Sequence, residues 1–591
     1  MKKNFKRLLS VAMCLLLSLS TVFTAVGCGP EEEIIDTTKV NIYVTAYDGG
    51  YGIDWLEKTA DYFMDKYKDT QFGELKGVDI HITKDRSLGN SFVANYAILD
   101  QDICFVPGGA YFEITDAGCL LDVTDIFTEI PEENKLPGGT NKSIVDNMNP
   151  EVRDYLGIDK NGTKHYYAMP AQGTGFGFNY DVDMFFNYGL YYVDGHTQSS
   201  DASEFITPIH WDDVNDKGEY TFINADGKTE TVLGDVLSTG PDGEYGTSDD
   251  GEPEYYTDFL NLCLYMKTEK TIHPCTFMKG SEAYVYDTAS QLMYDHLGPE
   301  YAAAYRDGEG KISNVVGFNG DQPIVEEYDL SAPGADKVRL FKNDGMYWAT
   351  YLIGKIFENK YYSNKITSEY THLDAQYDLL LSSKRNTNNS NRVAFLLDGA
   401  YWEHEAMQNG LYNDAVDRTG DDYFKYENRK FKLLANPKVD GTELGKPCVS
   451  GVGANYGVVL DKVREKGDVH TQVVKMFFQT IFSDVGNMYY TEKTSLCRPM
   501  SFPIDEEGMT YYGKIIRELY TVKADVVNNL TKAKWNNEYN SLLASRWCTS
   551  YQGKDYDRQI IELFLNQGCP IKDYFNGIYT RQVKRFGTVN G

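Results

Sequence analysis

None of the ten cysteines forms a C-x-x-C pair, so an ordinary thiolate zinc site is not expected. There is no G-x-S-x-G elbow and no P-loop, and His404-Glu405 lacks the second histidine of a zinc protease helix. Gly173, Gly175 and Gly177 alternate too closely for a dinucleotide fingerprint. No repeat of solenoid length occurs, and past the first 30 residues no apolar run is long enough to cross a bilayer. Basic residues are also short, 57 against 87 acidic ones, for a formal net charge of −30. So acidic a body repels phosphate backbones and anionic lipid. Nucleic acid is therefore not an expected partner, and a neutral ligand is.

The start of the chain is different. Lys2, Lys3, Lys6 and Arg7 precede an uncharged run from Leu8 to Phe23, and Thr24-Ala25-Val26-Gly27 leads to Cys28. A basic region, an apolar core and small residues make a secretory signal over residues 1–27. Ala25-Val26-Gly27-Cys28 resembles the lipobox of bacterial lipoproteins, with Ala25 where Leu is usual. That resemblance implies cleavage before Cys28 and a lipid on its sulfur. The chain is then expected on the extracellular face of the cell membrane, held by a polar tether at 28–38. Losing the leader's four basic residues takes −30 to −34. The roughly 560 remaining residues suffice for two or three domains.

Beyond Cys28 stand Cys104, Cys119, Cys263, Cys275, Cys448, Cys497, Cys548 and Cys569. An even number outside the cell permits disulfides, but domains of this size do not need them. Mostly free thiols are the expectation, with Cys104 buried in an apolar strand. Tyrosine is abundant, at 46 residues. Its ring packs on sugar C–H faces and its hydroxyl bonds, although the same residue serves equally well in a core.

Val40, Ile42, Val44 and Ala46 alternate with polar neighbours and predict a first strand. Asp48-Gly49-Gly50-Tyr51-Gly52 is a tight loop, and Asp54 with Glu57 resembles a capping box. Trp55, Leu56, Ala60, Phe63, Met64 and Tyr67 mark one face of a helix. Strands follow at Val78–Ile82 and Asp102–Val106. Strand, helix, strand at this spacing predicts a parallel α/β lobe, with ligands beyond the carboxyl ends of the strands. Tyr51 and Trp55 lie there, either to stack on a ligand or, for Trp55, to pack inside. Further helical faces occur at Phe259–Met266, Val473–Ile481 and Tyr512–Tyr520. Residues 194–254 are acidic and rich in Gly, Asp, Ser and Thr, which predicts an elaborated loop or small insertion. Within it Asp242, Glu244, Asp249 and Asp250 either hold calcium or form a solvated acidic loop; the 1-3-5 spacing of an EF-hand is absent. Nothing among the acids singles out a glycosidase pair or excludes one.

Several segments together resemble the family 1 extracellular solute-binding proteins, the sugar receptors of bacterial ABC importers. They are Gly49-Gly50-Tyr51-Gly52 with Asp54-Trp55-Leu56, then Gly118 to Asp125, then Tyr167-Ala168-Met169-Pro170 with Phe178-Asn179-Tyr180-Asp181, then Trp211-Asp212-Asp213, and Val393 to Trp402. The resemblance implies a periplasmic-binding-protein-like type II fold, in which two α/β lobes are joined by crossover strands with a ligand cleft between them. Lobe 1 is expected at 39–169 and 454–497. Lobe 2 is expected at 170–453 and 498–591. Crossings fall near Met169-Pro170, Gly451–Gly453 and Leu496–Arg498.

The implied function is capture of a neutral sugar, an oligosaccharide, for delivery to the permease, by a monomer with no cofactor beyond the calcium named above and no bond made or broken. A lipid-anchored glycoside hydrolase and a glycan-sensing lipoprotein without transport are the rivals, and a peptide or metal-chelate receptor is a variant. By the same resemblance Trp402 stacks on sugar, with Tyr401 in place of the motif's proline, and Tyr111 is a sugar contact after the third strand. Asp48 and Asp181 are candidate acceptors for hydroxyls, and Gln172 both donates and accepts. Trp348, Trp535 and Trp547 are further platforms or core residues.

Overall fold

The structure is a computed structural model. It describes residues 35–46, 50, 52–85, 92–107, 111–170, 175–192, 220–223, 229–232, 237–280, 282–450, 455–504, 506–527 and 537–587. The elements that frame the site are, in chain order, β1 (Val40–Ala46), α1 (Asp54–Tyr67), β2 (Val78–Lys84), β3 (Ile103–Pro107), β4 (Ala168–Pro170), β5 (Phe176–Asp181), α2 (Val182–Tyr188), β6 (His273–Thr276), α3 (Ala283–Asp307), α4 (His372–Leu380), β7 (Val393–Gly399), α5 (Trp402–Gln408), β8 (Phe431–Leu433), β9 (Asn455–Val459), α6 (Asp468–Ile481), α7 (Asp484–Thr494) and α8 (Tyr511–Glu518).

The first sheet has the order β2-β1-β3-β9-β4. In β1 the apolar residues Val40, Ile42 and Val44 are buried while Asn41 and Tyr43 are half-buried, as a period of two requires. β1 pairs in parallel with β2 and β3, Val40 opposite Val78 and Val44 opposite Ile103. Cys104, Phe105 and Val106 are all buried, which suits a central strand covered on both faces. α1 buries Trp55, Leu56, Ala60 and Phe63. Its start differs from the expected capping box. The helix begins at Asp54, Ile53 precedes it, and no side chain caps it. Asp54 and Glu57 instead place negative charge in the first turn, where the helix dipole favours it. Far along the chain, α6 and α7 come back to this lobe, with Val473, Val474, Phe477, Phe478 and Ile481 buried.

The second sheet has the order β6-β7-β5-β8. All seven residues of β7 are buried. It runs parallel to β6 and antiparallel to β5, with Gly399 opposite Phe176. The eight described cysteines beyond Cys28 are free thiols; Cys28 itself lies outside the described residues. Among the described residues no helix is long and apolar enough to cross a membrane.

Of the acidic stretch, residues 237–254 are folded against the second sheet, with 243–246 exposed at the turn. The Tyr192 N–H donates to the Gly251 carbonyl, and the Ser238 N–H donates to the Tyr192 carbonyl. Glu252 is buried and accepts from the Tyr180 hydroxyl at 2.7 Å and the Ala435 N–H at 2.7 Å. This also corrects the calcium expectation. The oxygens of Asp249 accept from the Asp242 N–H and the Thr247 hydroxyl, and those of Asp250 accept from the N–H groups of Gly246 and Thr247. The Asp242 carboxylate takes the Glu244 N–H, and Glu244 is exposed. These carboxylates are occupied in shaping the turn. Among the described residues no group of three or more His, Cys, Asp or Glu side chains is placed to hold a metal ion.

Candidate functional site

Three passages of chain run between the sheets. β4 ends at Pro170 and β5 starts at Phe176. Ser450 precedes β9. Leu496, buried in the first lobe's core, leads on to α8, which lies against β8. Within each sheet the registers place the strand ends. Asn455 opposes Pro107 and Tyr456 opposes Pro170, so the carboxyl ends of β3 and β4 meet the start of β9 at one edge. In the other lobe the carboxyl end of β7 meets the start of β5. The carboxyl ends of both sheets therefore converge on the crossovers, the position where open α/β sheets bind ligands.

Two contacts bridge the lobes there. Gly50, with φ of 98°, presses against the Glu405 carboxylate, so closely that a Cβ at position 50 would overlap its oxygen. Gln408 Nε2 donates to Asp54 Oδ2 at 2.8 Å. Beneath this contact lies a polar cluster. Asp398, the penultimate residue of β7, is fully buried. Gln376 Nε2 donates to Asp398 Oδ2 at 3.0 Å and to Glu405 Oε2 at 2.9 Å, so one amide joins two carboxyl groups. The Gly399 N–H donates to Asp398 Oδ1 at 2.7 Å. His372 Nε2 stands 3.4 Å from Glu405 Oε1. Tyr284 sits beside His372 and stacks with Phe176, whose ring meets Tyr401 edge-on.

Burial, reinforced by Glu405, pushes the Asp398 carboxyl up to about 8. At neutral pH Asp398 keeps its proton. Burial raises Glu403 to about 8 as well. Carboxyls of the unfolded chain titrate near 4. Between about pH 4 and pH 8 the folded protein thus binds more protons than the unfolded one, and this part of the stability falls as pH rises through that window. The thermal midpoint is expected to drop between pH 5 and pH 8, and Asp398→Asn to flatten the drop. A midpoint that rises across this range, or an identical slope in the variant, would remove Asp398 from the account.

Six residues expected at the site lie in cores instead. Trp55 meets Phe105 and Tyr490 edge-on, with the Arg498 guanidinium 4.9 Å from its ring. Tyr111 is buried against Tyr456 and donates to the Leu156 carbonyl at 2.9 Å. Asp181 caps α2 by accepting from the Met184 N–H and forms a fully buried ion pair with Arg429 at 2.6 Å. Trp348 packs among Tyr256, Tyr347 and Tyr351. Trp402 is 0% exposed, edge-on to Phe431 and Tyr512. Trp547 is 0% exposed and donates from Nε1 to Ser290 Oγ. None of these rings offers a face to a ligand in this structure. Tyr401 is 8% exposed and adjoins the polar cluster through Phe176 and Gly399. Asp48, Tyr51, Gln172 and Trp535 lie outside the described residues.

Sequence reasoning missed His372, Gln376, Asp398 and Glu405. Two signals were present. His372 and Gln376 are four apart and so share a face of α4. Asp398 is the one charged residue in an otherwise apolar strand, where a buried carboxyl needs partners.

No family model matches the chain, and no curated protein matches it in sequence. Solved structures do. A chitin oligosaccharide binding protein is similar at a TM-score of 0.52 and 13% identity, over 92% of this chain and 98% of its own. Maltose-bound MalE3 of T. maritima reaches 0.49 at 12% identity, over 92% and 99%. A mannobiose-bound ABC-transporter binding protein from Bifidobacterium animalis subsp. lactis reaches 0.48 at 10%, over 94% and 98%. The first of these likenesses, with the two sheets and their crossovers, gives the chain a periplasmic-binding-protein type II fold.

Proposed function

We propose that this chain is a lipid-anchored extracellular receptor that captures an oligosaccharide between its lobes and delivers it to the permease of an ABC importer. Lobe 1 comprises 39–169 and 454–497, lobe 2 comprises 170–453 and 498–591, and Cys28 carries the lipid. The observation that carries this reading is the Asp398, Gln376 and Glu405 cluster at the carboxyl end of β7, set against Gly50 and Asp54 of the other lobe. Carboxylates and amides that converge beside tyrosine rings suit a polyhydroxylated neutral ligand. An acidic face disfavours uronic acids by charge. A ligand that touches Glu405 and the Gly50 loop together does so only with the lobes closed, so it shifts the open–closed balance by differential binding. The receptor reading needs no proton transfer. A hydrolase needs two carboxyl groups flanking the scissile bond, and Asp398 is sealed beneath Gln376 and Gly399.

A thermal-shift panel of chitin, malto- and manno-oligosaccharides, with chromatography of each sugar afterwards, tests this. One or more sugars should raise the midpoint in proportion to the logarithm of concentration and be recovered intact. Cleaved products would replace the receptor with an enzyme. Glu405→Ala should weaken the bound sugar by about 1.5–3 kcal/mol, the range for a hydrogen bond to a charged group. Its effect on folding should be small, because it also removes the charge beside Asp398. Equal affinity in the variant would move the ligand elsewhere. Mass spectrometry of the native N-terminus should find a diacylglyceryl group on Cys28; a free thiol or an uncleaved leader would contradict the anchor.

A further inference from the structure

A cavity of about 210 Å³ lies within the second lobe. Its walls are Tyr256, a face of α3 that carries Leu292 and Asp295, and the loop 437–446. No residue of the first sheet lines it, and none of 170–176, 450–455 or 496–511, where the chain passes between the lobes. The walls are tied to one another by the backbone. The Lys438 N–H donates to the Glu254 carbonyl at 2.7 Å, and the Tyr256 N–H donates to the Lys438 carbonyl at 2.8 Å. The Cys448 N–H, just past the loop, donates to Asp295 Oδ1 at 2.8 Å. The cavity is therefore preformed rather than assembled by lobe closure.

Three buried polar groups on these walls have bonding capacity to spare. Tyr256 is 1% exposed and lines the cavity, and among the described residues its hydroxyl has no hydrogen-bond partner. A buried hydroxyl left so costs free energy that a ligand hydroxyl recovers. Lys438 Nζ lies 3.0 Å from each oxygen of Asp295, with both side chains nearly buried. An ammonium carries three donors, so one remains for a ligand. Asp295 Oδ2 accepts from Lys438 alone and keeps a lone pair. The two charges of this pair cancel, so an ion of either sign meets repulsion from one of them. At the rim Glu443 and Lys446 are exposed, and Lys446 is already 3.0 Å from Asp525. Leu292, Pro437 and Val439 supply apolar surface for C–H groups. The volume falls below the range of roughly 300–1,000 Å³ for drug-sized ligands, which suits one ring and excludes a chain.

We infer that this cavity is a second ligand site, and that it takes a single neutral sugar ring, a hexose, held by the Tyr256 hydroxyl, the Lys438 ammonium and the Asp295 carboxylate. Donors and acceptors then alternate around the ring hydroxyls, and the ring's C–H face meets Leu292 and Val439. The site lies apart from the Asp398 cluster and does not rest on what that cluster binds.

Calorimetric titration of the whole mature chain with glucose, galactose, mannose and N-acetylglucosamine, each alone, tests the inference. At least one should bind saturably. Tyr256→Phe removes only the hydroxyl and should weaken that sugar about three- to tenfold, the loss of one hydrogen bond. Its urea midpoint should match that of the parent chain, because the hydroxyl bonds nothing within the protein. Thr442→Trp, at an exposed position on the cavity wall, should block the sugar with the fold intact. Binding of none of the four sugars would overturn the inference. So would parental affinity in either variant, which would place the sugar between the lobes instead.

Discussion

Trp402→Ala should destabilise the protein by about 3–5 kcal/mol, the range for truncating a buried aromatic ring, and leave the sugar affinity of the folded protein unchanged. The Trp402 ring is 0% exposed and lies edge-on to Phe431 of β8 and Tyr512 of α8. Removing it opens a void where α8 is held against the second sheet. The Tyr512 hydroxyl donates to Asn179 Oδ1 in β5, so the loss spreads to the strand that leaves the crossover. Urea unfolding measures the first quantity, and calorimetry at low denaturant measures the second. A selective loss of sugar affinity with unaltered unfolding would return Trp402 to the binding surface. Trp402→Phe, which keeps most of the ring volume, should recover most of the stability.

Arg429→Met is expected to cost about 3–5 kcal/mol as well, for an electrostatic reason. Arg429 and Asp181 form an ion pair with both side chains 0% exposed. Arg429 also donates to the Leu380 carbonyl and lies over the rings of Tyr423, Phe424 and Phe431. Burial, with Asp183 nearby, raises the Asp181 carboxyl, and the Arg429 guanidinium together with the Met184 N–H opposes that rise. Without Arg429 a buried carboxylate is left uncompensated, which is the expensive way to break such a pair. Replacing both members with apolar residues, Arg429→Met with Asp181→Leu, should restore part of the loss, because the remaining penalty is chiefly the α2 cap. If Arg429→Met unfolds with the native midpoint, Asp181 is not held by this pair and becomes a ligand candidate again.

These two residues show where reading the chain succeeds and where it stops. The strands β1, β2 and β3 and the buried faces of α1 and α6 follow from periodicity, because a period of two or 3.6 is a local property. The site is not local. Asp181 met its arginine 248 positions away, and no spacing rule announces such a partner. Trp402 and Tyr401 illustrate a finer failure. Tyr401 is the residue before α5 and Trp402 is its first. One residue in a helical turn rotates the side chain by roughly 100°, so a motif aligned one position out exchanges the core residue for the one beside the site. In the structure Tyr401, not Trp402, is the ring beside the polar cluster. The acidic turn at 240–251 misled for a third reason. Composition counts oxygens but does not reveal which already accept backbone N–H groups.

The glycine at position 50 links fold to function most tightly. Its φ of 98° disfavours any other residue there, and a Cβ at this position would meet the Glu405 carboxylate.

The central claim, that an oligosaccharide binds between the lobes unchanged, is tested most directly by calorimetric titration of the mature chain with chitin, malto- and manno-oligosaccharides and chromatographic recovery of each sugar. The account predicts saturable binding at a stoichiometry of one for at least one of them, with the sugar recovered intact and the affinity lost in Glu405→Ala. Released shorter sugars, or no binding by any oligosaccharide in the set, would contradict it.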